Sequence, residues 1–252
     1  SDAGYLGNIP ELAPNYAAFA KRRWDWEVDP AGFRIAPDVG VAVIEVIRTL
    51  IPSGEKVMIN TPVYFNFFSW IGELGCMAFD VPLKAPSEGE SESRYRLDLD
   101  GIENGYKSGV KVHILCHPHN PVGAIYPKSD LIKLAELAHR YQVVVLSDEI
   151  HSPLVYERER FTPFLAASEL AKEVGIAFVS ATKAFSFAGL KCAHIIATSD
   201  ATKRILDRLP KALHSRASLF GAVASMVAWK DCDVWLDQVI DFLDSQRKLL
   251  AS

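Results

Sequence analysis

Four side chains of unlike chemistry each follow an apolar run in this chain. They are Tyr64 after "VMINTP", Asn120 after "VHILCHPH", Asp148 after "VVVLS" and Lys183 after "IAFVSAT". A lysine amine condenses with an aldehyde, a carboxylate keeps a pyridine-type nitrogen protonated, and an aromatic face stacks on a ring. Together they suit a ring-shaped aldehyde cofactor held through a Schiff base. The set is ill-suited to phosphate hydrolysis or hydride transfer, and neither G-x-x-x-x-G-K-[ST] nor G-x-G-x-x-G occurs. Taken singly, Lys183 reads as a solvated lysine, Asp148 with Glu149 as a solvated pair, and Tyr64 as ordinary packing. Their shared position at the ends of apolar runs argues otherwise, because ligands in open α/β sheets bind at the carboxyl ends of the strands.

The elements that must position these residues are legible as short β-branched runs, "KVMIN", "VKVHILC", "VVVLS", "IAFVS" and "AHIIAT", separated by loops and helical patterns. Helices are expected over 39–49, 65–74, 131–141 and 201–209, the third opened by Pro127, Ser129 and Asp130. Such alternation predicts a three-layer α-β-α sandwich with a mostly parallel central sheet buried on both faces. From about residue 216 the pattern becomes one long amphipathic helix, with Trp235, Leu236, Val239, Ile240 and Leu243 at helical spacing. The acidic, serine-rich run "APSEGESESR", Ala85 to Arg94, reads as a solvated loop.

Of the 252 residues 49% are apolar, enough to bury a sizeable core in one large domain. A net charge of −4 excludes a nucleic-acid footprint, which needs an excess of lysine and arginine. No apolar run reaches the roughly 18 residues of a membrane span. With no secretory-type start, a cytoplasmic location is expected. Cys76, Cys116, Cys192 and Cys232 contain no C-x-x-C pair and read as reduced thiols. "SDAGYLGN" opens without methionine, as a processed or excised piece would.

The ordered motifs "HNPVG" (119–123), "SDEIH" (147–151) and "SATKAFSFAGLK" (180–191) resemble the fold-type I pyridoxal-phosphate enzymes of the class I/II aminotransferase superfamily. Within it, "TPVYFNFF", "DEIHSPLV" and "DVWLDQ" are similar to the MalY/PatB-like branch of cystathionine β-lyases, or C-S lyases. The resemblance runs over essentially the whole chain. It implies the large domain of the aspartate-aminotransferase-like fold over 1–252, with the terminal helix leading to a small C-terminal domain outside this chain. That domain, roughly a hundred residues in relatives, would carry the arginine that grips the substrate carboxylate.

Carried over position by position, the resemblance makes Lys183 the Schiff-base lysine and Cα base, Asp148 the partner of the pyridinium, Asn120 the donor to the phenolic oxygen and Tyr64 the stacking ring. Ser180 and Lys191 would hold the phosphate with the backbone amides of Val39 and Gly40 at a helix start. Tyr5 would reach the phosphate of a neighbouring subunit in a homodimer. Three departures stand out. Lys191 replaces the usual arginine, which weakens bidentate phosphate contact. His151 stands where many aminotransferases have tyrosine, and "PDVG" (37–40) replaces "PGVV".

The expected reaction is β-elimination of a sulfur-containing amino acid to pyruvate, ammonia and a thiol. Transamination at the same site is the alternative, since both begin with loss of the Cα proton. Two further readings stay open: a metal-dependent hydrolase using Cys116, His117 and His119 with His151 downstream, and an inactive cofactor-binding or dimerisation fragment. The first lacks a zinc-signature spacing and leaves Lys183 idle.

Overall fold

The computed structural model describes residues 5–7, 9–86, 94–156 and 161–251. Most of the expected acidic loop, 87–93, lies outside the described residues. Seven strands form one sheet in the order β1-β7-β6-β5-β4-β2-β3. They are β1 (Phe33–Ala36), β2 (Lys56–Ile59), β3 (Met77–Asp80), β4 (Val112–Cys116), β5 (Val144–Asp148), β6 (Gly175–Val179) and β7 (Ala193–Ile196). Neighbours from β3 through β6 run parallel, whereas β7 is antiparallel to both β6 and β1.

Period-two alternation along these strands divides the core in two. Val57, Ile59, Val112, Ile114, Leu146, Ile176 and Phe178 face one side. There they pack against α2 (Val39–Leu50), α3 (Asn66–Glu73) and Leu206 of α7 (Asp200–Leu206). Met58, Leu115, Val145, Ala177 and Val179 face the other side. That layer is built from α1 (Leu12–Trp24), α4 (Leu99–Lys107), α5 (Lys128–Tyr141), α6 (Glu169–Val174) and later helices. A central strand such as β4, buried at all five positions, reads as a continuous apolar run because both faces are covered.

After the short α8 (Ala212–Ser215), the single terminal helix expected from about residue 216 is in fact two. These are α9 (Leu219–Asp231) and α10 (Asp233–Ala251), broken at Cys232 (φ −108°, ψ 21°). Arg22 of α1 explains the break. Its guanidinium donates to the Trp229 carbonyl at 2.7 Å, one of the last carbonyls of α9, and to Asp233 Oδ2 at 2.8 Å in the first turn of α10. One cation thus satisfies an orphan helix end and anchors the next start. Among the described residues no helix is long and apolar enough to cross a membrane.

Candidate active site

At the carboxyl edge of the parallel strands lies a cavity of about 320 Å³. Its wall includes Val39, Gly40, Tyr64, Asn120, Asp148, His151, Lys183 and Lys191 from the sequence-based set. Asp38, Asn66, Trp70, Cys116, Ile150, Thr182 and Ala188 complete it.

Asp148 ends β5, where pairing with Cys116 of β4 fixes its register. Its carboxyl is only 6% exposed and accepts one backbone hydrogen bond, from Ile150 N–H at 3.2 Å. Burial pushes it from 3.8 up to about 7, against the opposing pull of the Ile150 N–H and the Lys183 charge. Glu149 points into the other layer, where Ser147 Oγ–H and Phe164 N–H donate to its Oε1 at 2.9 and 2.8 Å. Burial raises it to about 8. The two acids are therefore interior groups on opposite faces of the sheet, and the solvated-pair reading does not hold.

Lys183 stands in the turn that follows β6, fixed by Phe185 N–H to Ala181 O and Phe187 N–H to Thr182 O, both 3.0 Å. Its side chain is exposed and lines the cavity. His151 is half-buried, and burial first, then the positive Lys183, holds its imidazole below the ordinary value.

Tyr64 is held by edge-to-face ring contacts to Phe65, Phe67 and Trp70, with centroids 5.1, 6.2 and 6.1 Å away, and accepts a 2.5 Å hydrogen bond from Asn66. Trp70 can close on the site because residue 40 is glycine, where an added Cβ would meet the indole at 2.8 Å. Asn120 is fixed by its N–H to Cys116 Sγ at 3.3 Å. Next to it, buried His119 donates from Nε2 to Pro62 O at 2.8 Å and accepts from Tyr126 at 2.5 Å, tying the Asn120 loop to the Tyr64 loop.

The far end is an anion cradle. Asp38 caps α2 through Val41 N–H at 2.8 Å, leaving the Val39 and Gly40 N–H groups without intrahelical acceptors at the cavity wall. Lys191, in the left-handed region (φ 52°), extends its Nζ to Asp38 Oδ2 at 3.2 Å.

Two expectations need correction. Ser180 is not on the wall: its hydroxyl donates to Cys192 O at 2.6 Å inside the protein and accepts from the Thr182 hydroxyl at 2.8 Å, and Thr182 lines the cavity instead. Tyr5, expected to act in a neighbouring subunit, is 90% exposed and does not line its own chain's cavity. The metal reading also fails on geometry, because His117 donates to Thr162 O at 3.1 Å and His119 is spent on Pro62 and Tyr126. Among the described residues no group of three potential ligands converges. Asp38, Trp70 and Thr182 were not foreseen. The hydroxyl of Thr182 within "SATK" was the one available signal.

This wall fits pyridoxal phosphate in its donor chemistry. Among the described residues the buried carboxyl has no cationic partner at contact distance, an amine stands nearby, an aromatic ring forms one side, and a helix start with a lysine forms the far end. A second, wider cleft of about 740 Å³ shares Asn120 and His151 and includes Arg94, Tyr95, Tyr156 and Arg247.

Residues 3–252 match the family model for aminotransferase class I and II. The chain is 34% identical to the "Putative cystathionine beta-lyase" of Mycobacterium tuberculosis H37Rv, covering 100% of this chain and 61% of that protein. It is 29% identical to the cystathionine beta-lyase PatB of Bacillus subtilis, covering 96% and 62%. Cystalysin from Treponema denticola, whose crystal structure contains pyridoxal 5'-phosphate, superposes with a TM-score of 0.91 at 25% identity over 99% of this chain and 63% of its own. The chain thus spans 61% to 63% of the length of these relatives.

Proposed function

This chain belongs to the aminotransferase class I and II family, and from that premise we propose that it binds pyridoxal 5'-phosphate and catalyses β-elimination of a sulfur-containing amino acid. The observation that carries this reading is the pairing, in one cavity, of an accessible lysine, Lys183, with a buried carboxyl, Asp148. When bound, the cofactor supplies an aldehyde that a primary amine captures and a protonated ring that withdraws electrons from a substrate Cα.

Each residue then has a task. Lys183 Nζ would hold the cofactor through its aldehyde and would take the substrate Cα proton. Asp148 holds the proton on the ring nitrogen, an opposite charge that restores its carboxylate form. Asn120 donates to the ring oxygen, and Tyr64 covers the ring face. The Val39 and Gly40 N–H groups, the Thr182 hydroxyl and Lys191 receive the phosphate. The wider cleft beyond Asn120 and His151 takes the substrate's thioether arm. Net, the Cα–H and Cβ–S bonds break, the thiol leaves with a proton, and one water completes conversion of the remaining fragment to pyruvate and ammonia.

Elimination is preferred over transamination because the relatives at 34% and 29% identity carry the name cystathionine beta-lyase. Tyr5, exposed at the N-terminal end, we assign to the phosphate of a second copy, making the working unit a homodimer. The chain is read as the large domain of a cytoplasmic enzyme. Incubation of the complete enzyme with cystathionine tests the reaction type: pyruvate formed without an added keto acid supports elimination, and strict dependence on a keto acceptor makes it an aminotransferase.

A further inference from the structure

The cradle assigned to the phosphate already contains an anion. Asp38 lines the cavity with both of its oxygens engaged there, Oδ1 on Val41 N–H at 2.8 Å and Oδ2 on Lys191 Nζ at 3.2 Å. Among the described residues, Lys191 and Lys183 are the two lysines on the cavity wall, and the wall carries no arginine. With Lys183 committed to the aldehyde end, Lys191 is the cation left for the phosphate. An arriving phosphate dianion must share that cation, and the positive end of α2, with a carboxylate that holds both. The usual reading of such an aspartate is a helix cap, and a neutral cap would serve α2 equally well. The charge is what the cap does not need.

We propose that Asp38 is an affinity-setting residue of the cofactor site, competing with the phosphate monoester for Lys191 and so keeping the bound group exchangeable. The proposal rests on the reading of the cavity as a pyridoxal-phosphate site, yet it concerns the phosphate end alone. Serine and asparagine keep the cap while removing the charge. Relief of one unit of repulsion against a dianion several ångströms away in a half-exposed setting corresponds to about a tenfold gain in affinity.

The test compares the parent with Asp38→Ser and Asp38→Asn by calorimetric titration with inorganic phosphate, pyridoxal 5'-phosphate and unphosphorylated pyridoxal. Both variants should bind the two phosphate-bearing probes about tenfold more tightly at low ionic strength, with the gain shrinking as salt rises. Pyridoxal affinity should stay unchanged. Equal or weaker binding of the phosphate probes in both variants overturns the proposal, as does an equal gain for pyridoxal. If the parent fails to attach pyridoxal phosphate at Lys183 while the variants still gain affinity for inorganic phosphate, the cofactor reading falls and the assignment of Asp38 stands.

Discussion

Burial leaves the Asp148 carboxyl, at about 7, between charge states in a cavity that also contains Lys183. Its value is raised above the ordinary 3.8, so the folded protein holds a proton that the unfolded chain releases. The stability this group contributes is full below that ordinary value and is lost as pH rises through about 7. Asp148→Asn should therefore melt above the cofactor-free parent at pH 8, with the gap closing towards pH 4; a constant gap would contradict the assigned environment. Buried His113, His117 and His194, held at about 3, 4 and 4, work on the acid side in both proteins and cancel in the difference. The two hydroxyls of "SATK" separate in the same way. Thr182→Val should weaken pyridoxal-phosphate binding several-fold, whereas Ser180→Ala, which removes the acceptor of the Thr182 N–H and hydroxyl as well as the hydrogen bond to Cys192 O, should cost about 1–3 kcal/mol of stability and weaken binding less than Thr182→Val does. Residue types at strand ends were enough to single out Tyr64, Asn120, Asp148 and Lys183, which share one cavity wall, because an apolar run announces where it stops. They could not say which way a hydroxyl turns, since Ser180 and Thr182 are equivalent in sequence and are distinguished by the carbonyl of Cys192, twelve residues from Ser180.

Lys191 owes its place to α9. Ser218, the cap of that helix, donates its N–H to Lys191 O at 3.0 Å. Gly221 in the first turn lies so close to the Leu190 carbonyl that an added Cβ would meet it at 2.1 Å. Gly221→Ala must displace the 188–191 backbone, at a cost of about 1–3 kcal/mol, and should lower affinity for pyridoxal phosphate more than for pyridoxal; equal losses would separate α9 from the cradle. The central strands β2, β4, β5 and β6 were legible because both their faces are buried. The sheet margins were not: β1 is four residues between a 3-10 turn at 30–32 and the start of α2, and the edge strand β3, "MAFD", is four largely exposed residues, too short for a periodic pattern to register. The break at Cys232 escaped notice for another reason. Hydrophobic spacing continues across it, and its cause, Arg22, lies 211 residues from Asp233.

Across the whole molecule, two helical layers of unequal depth enclose the sheet, and the cavity opens where α2, α3 and the Lys183 turn meet its carboxyl edge. Tyr5 stands clear of that cavity, so its assigned work falls in a second copy. Mixing Lys183→Ala chains with Tyr5→Phe chains should regain tight cofactor binding in a fraction of sites, those pairing an intact lysine with an intact tyrosine from the other chain. No gain on mixing would make Tyr5 a surface residue. The layer architecture could be read from alternation alone, whereas the subunit arrangement depends on surfaces that alternation does not describe. The proposed function turns on Lys183, and borohydride reduction of the protein loaded with pyridoxal 5'-phosphate, followed by peptide mass spectrometry, addresses it directly. The pyridoxyl group should be found on Lys183; its recovery on Lys191 or any other lysine, or on none, would contradict the account.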